Sequence, residues 1–97
     1  MPTYIILGRY TQKGIENMKE SPARLEKVKA AAAAAGGAMK AFYLTLGHYD
    51  FVAVSEMPSD EAGAKLLLSI GAMGAVRTET LRAFPEEEYK KIVAGLP

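Results

Sequence analysis

The chain has 97 residues, which is enough for one domain with a single core. It has no cysteine, which excludes disulfide scaffolds, thiolate metal sites and cysteine nucleophiles and fits a cytoplasmic location. Twelve basic and eleven acidic residues are evenly spread, which disfavours nucleic acid and anionic membranes as partners. The apolar run near the start is too short for a secretion signal or a membrane span.

The first half of the chain predicts a strand, a broken helix and a second strand. Residues 3–10 are rich in β-formers and bulky on both faces, as in a central strand. Thr11 is suited to cap a helical segment that breaks at Ser21-Pro22, where serine favours the N-cap and proline the first helical position. One apolar stripe is predicted to face the sheet on both sides of the break: Ile15, Met18, Leu25, Val28, Ala32 and Ala35.

The second half predicts a hairpin, a helix, a fourth strand and a terminal helix. Gly36-Gly37 ends the first helical segment, and strands are expected at about 39–46, 50–57 and 76–84. Helices begin after Pro58 and Pro85. The order βαββαβ predicts a single α+β domain over residues 1–97, with a ferredoxin-like antiparallel sheet in the order 4-1-3-2.

In this arrangement both helices cover one face of the sheet and the other face is open. Tyr43, Val52 and Val54 are predicted to line that face, which would be a large apolar patch on a monomer. Pairing of two sheets would remove it from water. We therefore expect a homodimer of the dimeric α+β barrel kind, or a higher even-numbered oligomer.

The hairpin turn carries the first candidate site. With strands one and three taken to run parallel, the turn is expected where strand one begins and strand four ends. There His48, Tyr49 and Asp50 would approach Arg82. Tyr43 and Thr45 are polar-tipped strand residues that either line a small cavity or sit in the barrel seam.

A second candidate cluster is expected at the opposite end of the sheet, formed by Arg9, Asn17 and Arg77. The arginines Arg9, Arg24 and Arg77 suit bidentate binding of a carboxylate or phosphate. Salt bridges between subunits, to Glu56 or Glu79, are the structural alternative.

The turn residues also have two interpretations each. His48 is either a general base oriented by Asp50 or an exposed turn histidine. Tyr49 either donates a hydrogen bond to a ligand or packs over the barrel edge. Asp50 either closes the hairpin by bonding turn amides or pairs with Arg82.

The chain resembles the GYD domain family in Gly47-His48-Tyr49-Asp50 and in an ordered set of further segments. These segments are Tyr4-Ile5, Gly14-Ile15, Ser21-Pro22-Ala23-Arg24, Phe42-Tyr43-Leu44-Thr45, Asp60-Glu61-Ala62, Val76-Arg77-Thr78 and Arg82-Ala83-Phe84-Pro85. The resemblance covers nearly the whole chain and implies the dimeric α+β barrel fold. It implies no reaction, and His48 stands where arginine or glutamine is more usual in the family.

Three functions remain from the sequence. The sequence favours the first, a homo-oligomeric module that binds a small, possibly anionic molecule. The second is a cofactor-free enzyme, similar in scaffold to monooxygenases or isomerases, that moves protons with His48, Tyr49 or Asp50. The third is an assembly protein. No cofactor or metal is expected, since the chain has one histidine, no cysteine and no glycine-rich phosphate loop.

Overall fold

The computed structural model describes residues 1–97 and contains one four-stranded antiparallel sheet with helices. The elements are β1 (Thr3–Tyr10), α1 (Gln12–Glu16), a 3-10 turn (Met18–Glu20), α2 (Ser21–Ala34), β2 (Ala38–Leu44), β3 (Phe51–Glu56), α3 (Asp60–Ala72), β4 (Val76–Ala83) and α4 (Glu86–Ala94). The strand order is β2-β3-β1-β4. This is the predicted order 4-1-3-2 read from the opposite edge of the sheet. The ferredoxin-like α+β fold is therefore confirmed.

The break in the first helical segment lies where the sequence predicts it. The Thr11 hydroxyl accepts a hydrogen bond from the Gly14 amide (3.2 Å) and caps α1. The chain passes through the 3-10 turn and starts α2 at Ser21, so Glu20 and not Ser21 is the N-cap. Pro22 then occupies the first turn of α2.

The prediction of one continuous apolar stripe is wrong at several positions. Ala32 is buried and Leu25 and Val28 are half-buried, but Ile15 and Met18 are 57% and 37% exposed. Ala35, just past the end of α2, is also exposed. The 3-10 turn interrupts the helix before α2, so a single helical periodicity does not carry across it.

The core lies between the helices and one face of the sheet. Tyr4 and Ile6 of β1 and Ala53 of β3 are buried there. The ring of Phe51 packs between those of Tyr10 and Phe42, with both centroid distances at 5.4 Å. Strand β1 carries a glycine opposite this ring, at Gly8, where a Cβ atom would lie 2.0 Å from the Phe51 ring. The missing side chain is what lets the ring lie over β1.

No helix covers the opposite face of the sheet, here called the open face. It is defined by Ile5, Leu7, Tyr43, Val52, Val54 and Leu81, which the strand register places on one side. Tyr43 is 63% exposed and Leu81 45%. The open face is apolar at its centre, as predicted.

The predicted direction of β3 is wrong, because β1 and β3 run antiparallel with Gly8 opposite Phe51. The hairpin between β2 and β3 reverses the chain, whereas the helical crossover from β1 leaves β2 parallel to β1. The turn at 47–50 therefore lies where β1 ends and β4 begins. This moves the turn away from Arg82 and next to Arg9.

Helix α4 projects from the domain. None of its residues is buried. The radius of gyration is 14.6 Å, whereas a compact domain of this length has about 12.5 Å. No helix in the structure is both long and apolar enough to cross a membrane.

Candidate functional site

The hairpin turn is closed by its own backbone and by one hydroxyl. The Thr45 amide donates to the Asp50 carbonyl (2.8 Å), and the Thr45 hydroxyl donates to the Tyr49 carbonyl (2.7 Å). Gly47 has φ +124°, a conformation that side-chain-bearing residues rarely adopt. Thr45 thus braces the turn through its amide and its hydroxyl proton.

Asp50 joins the turn to β1. Its carboxylate Oδ2 accepts a hydrogen bond from the Tyr10 amide (2.9 Å), and its own amide donates to the Gly8 carbonyl (2.8 Å). The predicted alternative of an Asp50–Arg82 pair is wrong, because Arg82 is the register partner of Tyr4 at the other end of β1. The predicted bond from the Asp50 carboxylate to amides of the turn is also wrong, because the amide that it accepts from belongs to Tyr10 of β1.

Arg9 holds His48 through two contacts. Its Nε donates to the His48 carbonyl (2.9 Å), and its Nη2 contacts the ring atom Nε2. A guanidinium group has only donors, so Nε2 is the acceptor and a neutral ring carries its proton on Nδ1. The lone pair that a general base would use is already engaged.

Tyr49 lies at the centre of the same group. The Arg9 guanidinium carbon is 5.0 Å from the Tyr49 ring centroid, and the His48 ring meets that ring edge-on at 5.0 Å. The Tyr49 hydroxyl donates to Glu79 Oε1 (3.2 Å) on β4. We call Arg9, His48, Tyr49 and Glu79 the turn cluster. It lies at one end of the open face, since Arg9 and Glu79 share that face with Leu7.

The structure regroups the predicted site residues. Arg9 was predicted at the opposite end from the turn but lies in the turn cluster, and Arg77 is its register partner on β4. Asn17 does not join them: its side chain donates to the Lys13 carbonyl (2.9 Å), and its carbonyl accepts from Arg24 (3.0 Å). Arg24 lies on the helix-covered side of the sheet, so the three arginines do not form one anion site.

Glu79 was missed as a site residue and was considered only as a salt-bridge partner. The signal that identifies it is the antiparallel register that places it opposite Leu7. Tyr43, in contrast, lies on the open face opposite Val52. It makes no hydrogen bond or ring contact with the turn cluster.

Arg82 belongs to a second polar group at the far end of the sheet. Its guanidinium carbon lies 4.6 Å from the Phe84 ring centroid and 5.9 Å from that of Tyr4. The Tyr4 hydroxyl donates to the Asp60 carboxylate at the start of α3. Burial and the neighbouring Asp60 carboxylate raise the pKa of Tyr4. This hydroxyl is therefore a structural donor that stays protonated.

The turn cluster combines one cation, one carboxylate and two aromatic rings at the border of an apolar face. Tyrosine and arginine are both enriched in protein interfaces relative to the rest of the surface. No group of three or more histidine, aspartate or glutamate side chains converges as a metal site would require.

Comparison with known proteins gives three findings. The sequence profile of the GYD domain family matches residues 4–93. A relative from Thermus thermophilus, called "Glutamine synthetase and cystathionine beta-lyase binding protein", is 36% identical over 86 residues, which cover 88% of this chain and 90% of the relative. A crystal structure of a Thermus thermophilus protein matches with a TM-score of 0.56 and 26% identity, over 88% of this chain and 95% of that one.

Proposed function

This chain belongs to the GYD domain family, and from that premise we propose that it is a homodimeric module that binds other proteins, metabolic enzymes among them. The proposal draws on the relative that is named for binding two enzymes and that matches almost from end to end. It also draws on two apolar surfaces that the fold leaves uncovered. One is assigned to self-association and the other to the partner.

The open face is assigned to self-association. Monomeric proteins rarely expose a contiguous apolar patch of this kind, and two such faces are self-complementary about a two-fold axis. Its apolar centre includes Leu7 and Val54, and the turn cluster stands at its edge. An apolar centre with a polar rim is the usual anatomy of an interface, and arginine and tyrosine are enriched in interfaces.

Helix α4 is assigned to the partner protein, and this observation carries the proposal. Tyr89, Ile92 and Val93 on the helix and Leu96 just past its end are all exposed, at 45–66% of their surfaces. Their spacing is i, i+3, i+4 and i+7, the pattern by which an amphipathic helix enters an apolar groove. Since the helix has no buried residue in its own domain, this stripe is available to another protein.

The test is binding of purified glutamine synthetase and cystathionine beta-lyase to the immobilised full chain. We expect saturable binding of at least one enzyme and a loss of at least tenfold in affinity for Ile92→Glu, which places a charge in the stripe. Lys91→Glu, a larger charge change on the opposite side of the same helix, is the matched control. Equal binding by wild type and Ile92→Glu would remove α4 from the proposal.

A small-molecule ligand is the second candidate function. It is favoured by a cavity beneath the helices, which is separate from both surfaces described above. The enzyme alternative has less support, because the Asp50 carboxylate bonds the Tyr10 amide and His48 Nε2 faces a guanidinium group.

A further inference from the structure

A cavity of about 80 Å³ lies between α2, α3 and the helix-covered face of the sheet. Its walls are almost wholly apolar and include Ile6, Leu25, Val28, Phe42, Phe51 and Leu67. The lining residues that carry polar groups are Tyr10, Ser21, Arg24 and Thr78. No acidic residue lines it. The cavity is thus an apolar space with a cation at its wall and no anion.

Arg24, which lines the cavity, has an unsatisfied donor. One guanidinium nitrogen, Nη1, donates to the Asn17 carbonyl (3.0 Å). The other, Nη2, is buried and has no hydrogen-bond partner. The structure's ion pairs, Lys29–Glu26 and Lys90–Glu86, do not involve it. Because a buried charged donor without an acceptor is costly, the site favours an acceptor that carries negative charge.

Two hydroxyl groups accompany Arg24. Ser21 and Arg24 are three residues apart on α2 and therefore lie on the same helix face. The Ser21 Oγ atom is 3.5 Å from the Tyr10 hydroxyl oxygen, and either group can donate. The bond between the two hydroxyls uses one of their two protons, so the three side chains offer one charged and one neutral donor, and breaking this 3.5 Å bond frees the second. Such a donor set is suited to a carboxylate.

We propose that this cavity binds a short-chain aliphatic monocarboxylate, with its carboxylate on Arg24, Tyr10 and Ser21 and its apolar body among the core side chains. This inference deepens the second candidate function and is independent of protein binding. An enclosed cavity of about 150 Å³ accommodates benzene, so 80 Å³ corresponds to an apolar body of about three carbon atoms. A zwitterionic amino acid is disfavoured, since its ammonium group would meet a guanidinium and no acidic residue.

The experiment is a titration of the ¹⁵N-labelled full chain with sodium isobutyrate, followed by amide and arginine side-chain NMR shifts. We expect saturable shifts confined to the cavity wall and to Arg24. Isobutyramide, a neutral molecule of the same shape, should bind at least tenfold more weakly. Shifts that do not saturate, that centre on the turn cluster, or that are equal for the amide would overturn the proposal.

Variants separate a specific site from general anion binding. Arg24→Gln should weaken isobutyrate binding at least tenfold, whereas Arg77→Gln, at an exposed arginine on the open face, should leave it unchanged. Tyr10→Phe removes one hydroxyl and should weaken binding severalfold, which keeps the test valid if Arg24→Gln fails to fold. Equal weakening by Arg77→Gln would mean an adventitious anion only.

The same variants distinguish this site from the protein-binding function. Arg24→Gln should still bind the two enzymes, since α4 is unchanged. If wild type binds an enzyme but not isobutyrate, the cavity proposal fails alone. If it binds isobutyrate but neither enzyme, the protein-binding proposal fails alone.

Discussion

The Tyr10 amide donates a hydrogen bond to the Asp50 carboxylate (2.9 Å), so the turn of the hairpin is attached to the last residue of β1. The bond joins two segments 40 positions apart in the chain. It sets the position of His48 and Tyr49 over the end of β1. The aspartate of the Gly47-His48-Tyr49-Asp50 segment is thus architectural, whereas His48 is exposed and Tyr49 is half-buried.

Replacing Asp50 tests this role. Asp50→Ala leaves the Tyr10 amide without its acceptor and should lower the free energy of unfolding by about 1–3 kcal/mol. Asp50→Asn keeps an oxygen acceptor and should cost less. Urea unfolding at neutral pH measures both, with Glu87→Gln as the control that alters an exposed carboxylate on α4. Equal stability of Asp50→Ala and wild type would contradict the assignment.

Two glycines should respond to alanine with opposite signs. At Gly8 the new Cβ would lie 2.0 Å from the Phe51 ring, so Gly8→Ala should destabilise the fold, by about 1–3 kcal/mol. Gly71 lies in α3 with nothing within 4 Å of a new Cβ, so Gly71→Ala should stabilise it, by up to about 1 kcal/mol. Thermal unfolding of both variants measures the two changes in stability. A change of the same sign in both variants would contradict the packing described.

The raised pKa of Tyr4 predicts that the free energy of unfolding falls at alkaline pH. Its pKa in the folded chain is raised above the ordinary value of 10.0 by burial and by Asp60. Above pH 10 the unfolded chain therefore releases this proton while the folded chain retains it, and stability falls as the pH rises toward the folded pKa. Tyr4→Phe should make this decline shallower, at a cost of about 0.5–1.5 kcal/mol at neutral pH.

The control for Tyr4 is Tyr89→Phe, since Tyr89 is exposed on α4. It should leave both the stability at neutral pH and its decline in alkali unchanged. An alkaline decline that is as steep in Tyr4→Phe as in wild type would assign the decline to other groups.

Self-association through the open face predicts a mass twice the monomer mass of 10.4 kDa in light scattering. Val54→Glu places a charge at the centre of that face and should yield monomers. Leu68→Glu is the matched control, because Leu68 is exposed on α3, away from the open face. A Val54→Glu protein that keeps the wild-type mass would show that the open face is not the self-interface.

The sequence is sufficient to predict the order of strands and helices, because each element has a clear signal. Thr11 marks a helix start, Pro22 the first turn of the next helix, and the glycines after Ala35 its end. The stripe failed at Ile15 and Met18 because periodicity alone does not reveal a change of helix axis. The direction of β3 could have been predicted from the sequence, since a hairpin reverses the chain and a helical crossover does not.

Less of the candidate site could be predicted from the sequence. The contact between Tyr49 and Glu79 depends on the register of β1 against β4, which no local pattern reports. The unpaired nitrogen of Arg24 depends on side-chain packing between α2 and the sheet. The assumed parallel direction of strands one and three placed His48 and Arg9 at opposite ends of the sheet, and the antiparallel pairing brings them together.

The measurement that tests the central claim most directly is sedimentation velocity of the fluorescently labelled full chain, alone and with increasing purified glutamine synthetase or cystathionine beta-lyase. The account predicts that the label moves into a faster boundary with at least one enzyme and that the shift saturates. A label that sediments unchanged at every concentration of both enzymes would contradict the proposed protein-binding function.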